Sequence, residues 1–176
     1  GVPAWALPTD TTVEHGSVTV EQADSSAHFH IESDQAILSH AQFDIAQPET
    51  VDFHFHNPTA ASSVLNRVVG GDLSTIAGAL LSNGQVFLIN PAGILITDTA
   101  RIDTAGFVAA TLNITNENFL ARNWSFEQDP GFAPASVVNQ GTILARPGDL
   151  IGLLGGAASD GVGTIVQAVG TKIQSD

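Results

Sequence analysis

The residues best placed to do chemistry in this chain are its histidines. His28-Phe29-His30 and His54-Phe55-His56 each put two imidazoles two residues apart. On an extended strand that spacing brings both rings to one face, where they could chelate zinc or copper. His15 and His40 could add ligands if the fold brings them near. The competing reading is two polar strand faces at the solvent edge, with Phe29 and Phe55 turned inward, and this is the one adopted, with no cofactor implied. Metal at His28, His30, His54 and His56 is kept as the alternative. There is no cysteine, so thiolate zinc sites, disulfides and cysteine nucleophiles are excluded. Catalysis on acidic sugars would need carboxylates gathered with Lys or Arg in one groove. Arg67, Arg101, Arg122, Arg146 and Lys172 are scattered, and no motif ties them to paired carboxylates. The chain reads as a non-enzyme. A carbohydrate-binding or polysaccharide-degrading β-helix is the rival class.

The bulk properties narrow the partners. Five basic residues face eighteen acidic ones, a formal net charge of -13. Phosphate neutralisation needs clustered cations, so nucleic acid is disfavoured, as are anionic membrane surfaces. The chain has 176 residues, the length of one domain, enough to bury a core without staples. Charged residues make up 13%, against roughly 25% in ordinary soluble domains. No apolar run approaches the roughly 18 residues of a spanning helix.

Strand-like alternation must position these side chains. Ala27 to Glu32 and Val51 to His56 alternate apolar with polar, and Val18 to Glu21 does so more briefly. Val86-Phe87-Leu88-Ile89 and Ile94-Leu95-Ile96 are apolar without alternation, which suits parallel strands covered on both faces. Turn residues punctuate the runs at Asn57-Pro58, Gly70-Gly71, Asn83-Gly84, Pro91-Ala92-Gly93 and Pro147-Gly148. The segment from Asp72 to Leu80 has helical spacing but glycine-rich surroundings, and reads as extended. Thr115 is placed to cap one helical turn over Asn116 to Leu120. Gly141-Thr142-Ile143-Leu144-Ala145 is echoed 22 residues on by Gly163-Thr164-Ile165-Val166-Gln167. Such periods mark solenoids, whose coils bury one another's apolar faces. The polar tail Lys172 to Asp176 is expected to fold over the last coil. The expectation is all-β: a parallel β-helix in one domain.

One stretch is distinctive. Val64-Leu65-Asn66-Arg67-Val68-Val69-Gly70-Gly71 leads through Ser74 to Gly78 into Asn83-Gly84-Gln85-Val86-Phe87-Leu88-Ile89-Asn90-Pro91-Ala92-Gly93-Ile94. Phe43-Asp44-Ile45 and Val51-Asp52-Phe53 precede it, and Ala109-Ala110-Thr111-Leu112 and Asn118-Phe119 follow. This ordered set resembles the haemagglutination-activity region, or two-partner secretion domain, of filamentous-haemagglutinin-like exoproteins. The resemblance runs from about Leu7 to the end. Ala92 departs from the usual Asn-Pro-Asn-Gly-Ile motif, and Asn57-Pro58-Thr59 shares only two residues with the family's Asn-Pro-Asn-Leu element.

The resemblance implies a right-handed parallel β-helix with an amino-terminal β cap and short antiparallel strands. It implies secretion to the cell surface or beyond, through the periplasm of a Gram-negative bacterium. The implied partners are an outer-membrane β-barrel transporter with POTRA domains and the downstream β-helix of a large exoprotein; the domain itself is expected to be monomeric. Ala4-Trp5-Ala6 has the small-x-small pattern of a signal-peptidase site. Residues 1–6 therefore read as a signal-peptide remnant or the cut end of the chain, and 7–176 as the domain. Asn66, Arg67, Asn90, Pro91, Gly93 and Ile94 carry the family motif. Either they contact the transporter, or they build the turn and satisfy buried carbonyls.

Overall fold

The computed structural model describes residues 6–156 in full and, beyond them, the backbone of strands 165–167 and 172–175. In chain order the elements begin with β1 Thr12–His15, β2 Val18–Gln22, β3 Ser26–Ile31, β4 Gln35–His40, β5 Thr50–Phe55 and β6 Ser63–Val68. Then come β7 Ser74–Ile76, β8 Ala79–Ser82, β9 Gln85–Ile89, β10 Ile94–Ile96, β11 Arg101–Asp103 and β12 Gly106–Ala110. A five-residue helix, α1 Asn116–Leu120, precedes β13 Val137–Asn139, β14 Thr142–Ala145, β15 Ile151–Leu154, β16 Ile165–Gln167 and β17 Lys172–Ser175.

These strands make three sheets of six, four and seven strands, ordered β1-β4-β6-β9-β12-β15, β16-β13-β10-β7 and β17-β14-β11-β8-β5-β3-β2. From β6 onward the chain visits the three sheets in a fixed cycle, and each strand lies parallel to its predecessor in the same sheet. Among the described strand pairs, only β1 on β4 and β2 on β3 are antiparallel, at the amino-terminal end.

Alternation decides what faces inward. In β3, Ala27, Phe29 and Ile31 are buried; in β5, Val51, Phe53 and Phe55 are, as their period of two requires. In-register pairing stacks Phe29 on Phe53 with ring centroids 4.7 Å apart, and Phe43 continues the stack at 6.4 Å. β6 and β9 are buried on both faces. Val64, Val86 and Leu88 join the central core, while Leu65, Phe87 and Ile89 point outward under a second cluster with Ile114 and Phe119. The cover is segment 111–136, inserted between β12 and β13.

Asp72 to Leu80 is extended as expected, and Thr115 Oγ1 accepts the Asn118 N–H as the cap of α1. Two expectations are corrected. One circuit does take 22 residues from Ser63 to Gln85. The echoed segments, however, do not stack on each other: Ile143 pairs with Ile173, and Ile165 with Val137, in different sheets. Gly163 and Thr164 lie outside the described residues. The tail does not fold over the end as a lid, because Lys172–Ser175 extends the seven-stranded sheet beside β14.

Phe53 sits between two ring partners with no exposed surface. Phe53→Ala is expected to cost about 3–5 kcal/mol, read as a lower urea midpoint at unchanged slope.

Candidate functional site

The motif residues converge on the corner where the six-stranded sheet hands the chain to the four-stranded one. Asn90 closes β9 with its side chain buried. Its amide nitrogen donates to the Asp72 carbonyl and to Ser74 Oγ, both at 2.9 Å. Its side-chain oxygen accepts the Ala92 N–H at 2.9 Å, and its main-chain N–H donates to the Ala110 carbonyl. The Gly93 N–H closes the turn on the Asn90 carbonyl at 3.1 Å. Pro91 supplies the preset φ of the second turn position, and Gly93, at φ 121°, occupies backbone space that L side chains avoid. Ala92 contributes only its N–H, so the turn forms without the family's second asparagine. Ile94 starts β10 in the core, in register with Ser74 and Val137.

Asn66 repeats the device in mid-strand. It is wholly buried; its oxygen lies 2.9 Å from His40 Nε2, and its nitrogen donates to the Phe87 carbonyl at 3.2 Å. The other ring nitrogen of His40 meets Thr11 Oγ1 at 2.8 Å, and Phe43 packs against the ring edge-on. Burial drives the His40 pKa down to about 4, and its bond to Asn66 opposes that shift.

Arg67, the next residue, points to the opposite face and is half-buried. Its guanidinium donates to the Asn113 and Asn116 side chains and to the Ile114 carbonyl, with Glu14 at 3.6 Å. Burial lowers its pKa, and the Glu14 charge opposes that shift. It thus fastens both β1 and the inserted segment onto β6.

His28, His30 and His54 spread along the outer face of the seven-stranded sheet, His56 follows β5, and His15 ends β1 in the six-stranded sheet. His28 Nδ1 is 3.4 Å from Asp52 and His30 Nε2 is 3.5 Å from Glu21, while His54, His56 and His15 are exposed. Among the described residues no three His, Asp or Glu side chains are grouped to hold a metal ion. His40 stands apart in the core.

Several positioning residues gave no sequence signal. Arg122 donates to the Ala61 carbonyl and to Gln85, with its guanidinium 5.0 Å from the Trp124 ring. Trp124 and Phe126 close over Phe87. Glu49, wholly buried, accepts the N–H groups of Ala6 and Ala46. The aromatic run Phe119, Trp124, Phe126 could have flagged a covering segment. The signal-peptidase pattern lies outside the described residues except for Ala6.

With this geometry in place, the relatives can be compared. The sequence matches the TPS secretion domain family over residues 4–174, and the chain belongs to that family. It is similar to the heme/hemopexin-binding protein of Haemophilus influenzae, 36% identical over 128 residues, or 70% of this chain and 14% of that protein. A second protein of that name from strain Rd of the same species is 35% identical over 108 residues, 61% of this chain and 12% of the relative. The chain therefore spans only about a seventh of these relatives. Among solved structures, the HMW1 secretion domain from Haemophilus influenzae superposes with a TM-score of 0.79 at 42% identity, over 85% of this chain and 39% of that one. The chain is thus an all-β secretion domain of the kind that heads large exoproteins, exported through the periplasm to the cell surface or beyond.

The His40 environment makes stability depend on pH. The unfolded chain protonates His40 near pH 6.5, the folded one only near pH 4. The contribution of this residue is whole above pH 6.5 and is lost as pH falls toward 4. Urea unfolding should show a loss of about 2 kcal/mol between pH 7 and pH 5, and His40→Gln should flatten that slope.

Proposed function

We propose that this chain is the amino-terminal secretion domain of a large exoprotein, recognised in the periplasm by an outer-membrane β-barrel transporter bearing POTRA domains. The observation that carries the reading is the family match over residues 4–174, joined to the likeness to a solved secretion domain. The three-sheet cycle of parallel strands supports a right-handed parallel β-helix, with β1 and β2 as its amino-terminal cap. In this reading the domain runs from Leu7, the first of the described residues to enter the core, to Asp176. Ala6, the residue before Leu7, donates its N–H to Glu49. The domain acts as a monomer and seeds the folding of the β-helix that follows it.

The six motif residues serve recognition by fixing the shape of one corner. Asn66, Asn90 and Ile94 do so from inside, Arg67 by clamping the insert, Gly93 by permitting the turn, and Pro91 at the surface. The domain performs no catalysis. Its arginines support this: Arg67, Arg122 and Arg146 donate to main-chain carbonyls, and Arg101 lies 3.4 Å from Asp103. Deleting residues 7–176 from the exoprotein, expressed with its transporter, should leave the precursor in the periplasm. Wild-type amounts at the cell surface would contradict the proposal.

A further inference from the structure

The register of the seven-stranded sheet gathers three imidazoles and two carboxylates. Parallel pairing of β3 with β5 sets His28 beside Asp52 and His30 beside His54, and antiparallel β2 sets Glu21 beside His28. Ala27, Phe29 and Ile31 fill the inward face, so all five polar side chains stand on the outward one. The His28 and His30 rings have centroids 6.4 Å apart. Each ring has a carboxylate at one nitrogen: Asp52 lies 3.4 Å from His28 Nδ1, and Glu21 3.5 Å from His30 Nε2. His30 Nε2 is screened from water yet makes no hydrogen bond. The opposite nitrogens, His28 Nε2 and His30 Nδ1, have no partner in the fold and are left for another ligand.

We propose that this face binds a divalent zinc or copper ion through His28 and His30, with His54 as the third ligand. The residue types select the ion. Imidazole suits zinc and copper, whereas calcium and magnesium require several oxygen ligands. With metal–nitrogen bonds of about 2.0–2.1 Å, two imidazoles on one ion keep their centroids about 5–6.5 Å apart. The observed 6.4 Å is therefore within a small rotation of a shared ion. A carboxylate at the far nitrogen of a ligating histidine fixes the ring and raises its basicity, and Asp52 and Glu21 stand in those positions. Among the described residues no three such side chains yet converge on one point. The backbone register is already set, however, and His54 is exposed, so the third ligand closes in by side-chain rotation alone.

The surroundings favour a dication. Glu21 and Asp52 flank the rings on a chain of net charge -13, and Arg101, two strands beyond β5, faces Asp103 instead. The ion also has a structural consequence. β2 is an edge strand, exposed along nearly its whole length. An ion on His28 and His30 turns the His30 Nε2–H toward Glu21 and so fastens β2 to β3, while His54 fastens β5. An ion that binds the folded face and not the unfolded chain stabilises the fold by mass action.

The test titrates the 176-residue chain, first stripped with a chelator, with Zn(II), Cu(II) and Ca(II) in separate calorimetric runs. One equivalent of zinc or of copper should bind with micromolar affinity or tighter, and calcium should not bind. The electron paramagnetic resonance spectrum of the copper form should carry the nitrogen splitting of imidazole ligands. Zinc should raise the unfolding temperature and slow amide exchange in β2 and β3. The double variant His28→Gln, His30→Gln should bind both ions at least tenfold more weakly, and His54→Gln at least threefold more weakly. His15→Gln, at the end of β1, should bind them as wild type does. If the double variant fails to fold, trace copper added to the wild-type chain must broaden the ring proton signals of His28, His30 and His54 and spare His15. Affinity no better than millimolar, calcium binding equal to that of zinc, a copper spectrum without nitrogen splitting, or undiminished binding by the folded double variant would each overturn the site. None of these results touches the secretion reading, which stands or falls with the 7–176 deletion.

Discussion

A single buried residue, through its side-chain amide and its main-chain N–H, joins three successive passes of the chain. Asn90 holds Asp72 and Ser74 from the pass before, closes its own turn through Ala92 and Gly93, and bonds to Ala110 in the pass after. Stacked strands bury their apolar rows readily, but every corner between sheets takes main-chain N–H and C=O groups away from the ladder and out of reach of water. Left unpaired, each would cost about 1–3 kcal/mol. The chain meets this constraint with short amides turned inward. Asn66 links His40 to Phe87, and Asn83 mimics a strand residue by bonding both the N–H and the carbonyl of Phe55. Gly84, beside it, passes so close to the Phe55 ring that an added Cβ would lie 2.4 Å from it.

The six-stranded sheet raises a second demand. Its outer face carries Ile37, Leu65, Phe87, Ile89 and Val108, so one side of the stack has to be roofed. Segment 111–136 does this with Phe119, Trp124 and Phe126; Arg67 fastens its start and Arg122 its middle. Core and surface are thereby coupled. The clamps that hold the roof also bring Phe132 opposite Val69 and Pro91, so the exposed corner inherits the rigidity of the buried amides behind it.

Much of this was legible where one residue's neighbours in sequence decide its environment. Alternation from Ala27 to Ile31 and from Val51 to Phe55 placed those faces correctly, and the unbroken apolar run Val86 to Ile89 announced a strand covered on both sides. The hydroxyl of Thr115 marked α1. The echo at residues 141 and 163 misled because passes differ in length: Gln35 pairs with Ser63, but Ser63 with Gln85. A repeat therefore cannot name its stacking partner when insertions such as 111–136 intervene. The roles of Asn66 and Asn90 were open for a related reason. Apart from the Ala92 N–H beside Asn90, their side-chain partners are 16 to 26 residues away, brought close only by the register of the sheets. Arg67 satisfies the Ile114 carbonyl across a still longer span, which no local pattern encodes.

The central claim is that the Asn90 amide holds the corner together. Urea unfolding of the 176-residue chain carrying Asn90→Ala tests it most directly. The variant leaves the Asp72 carbonyl, Ser74 Oγ and the Ala92 N–H without their partner, and should lose about 3 kcal/mol of stability. Wild-type stability in that variant would contradict the account and leave Asn90 with a role at the surface alone.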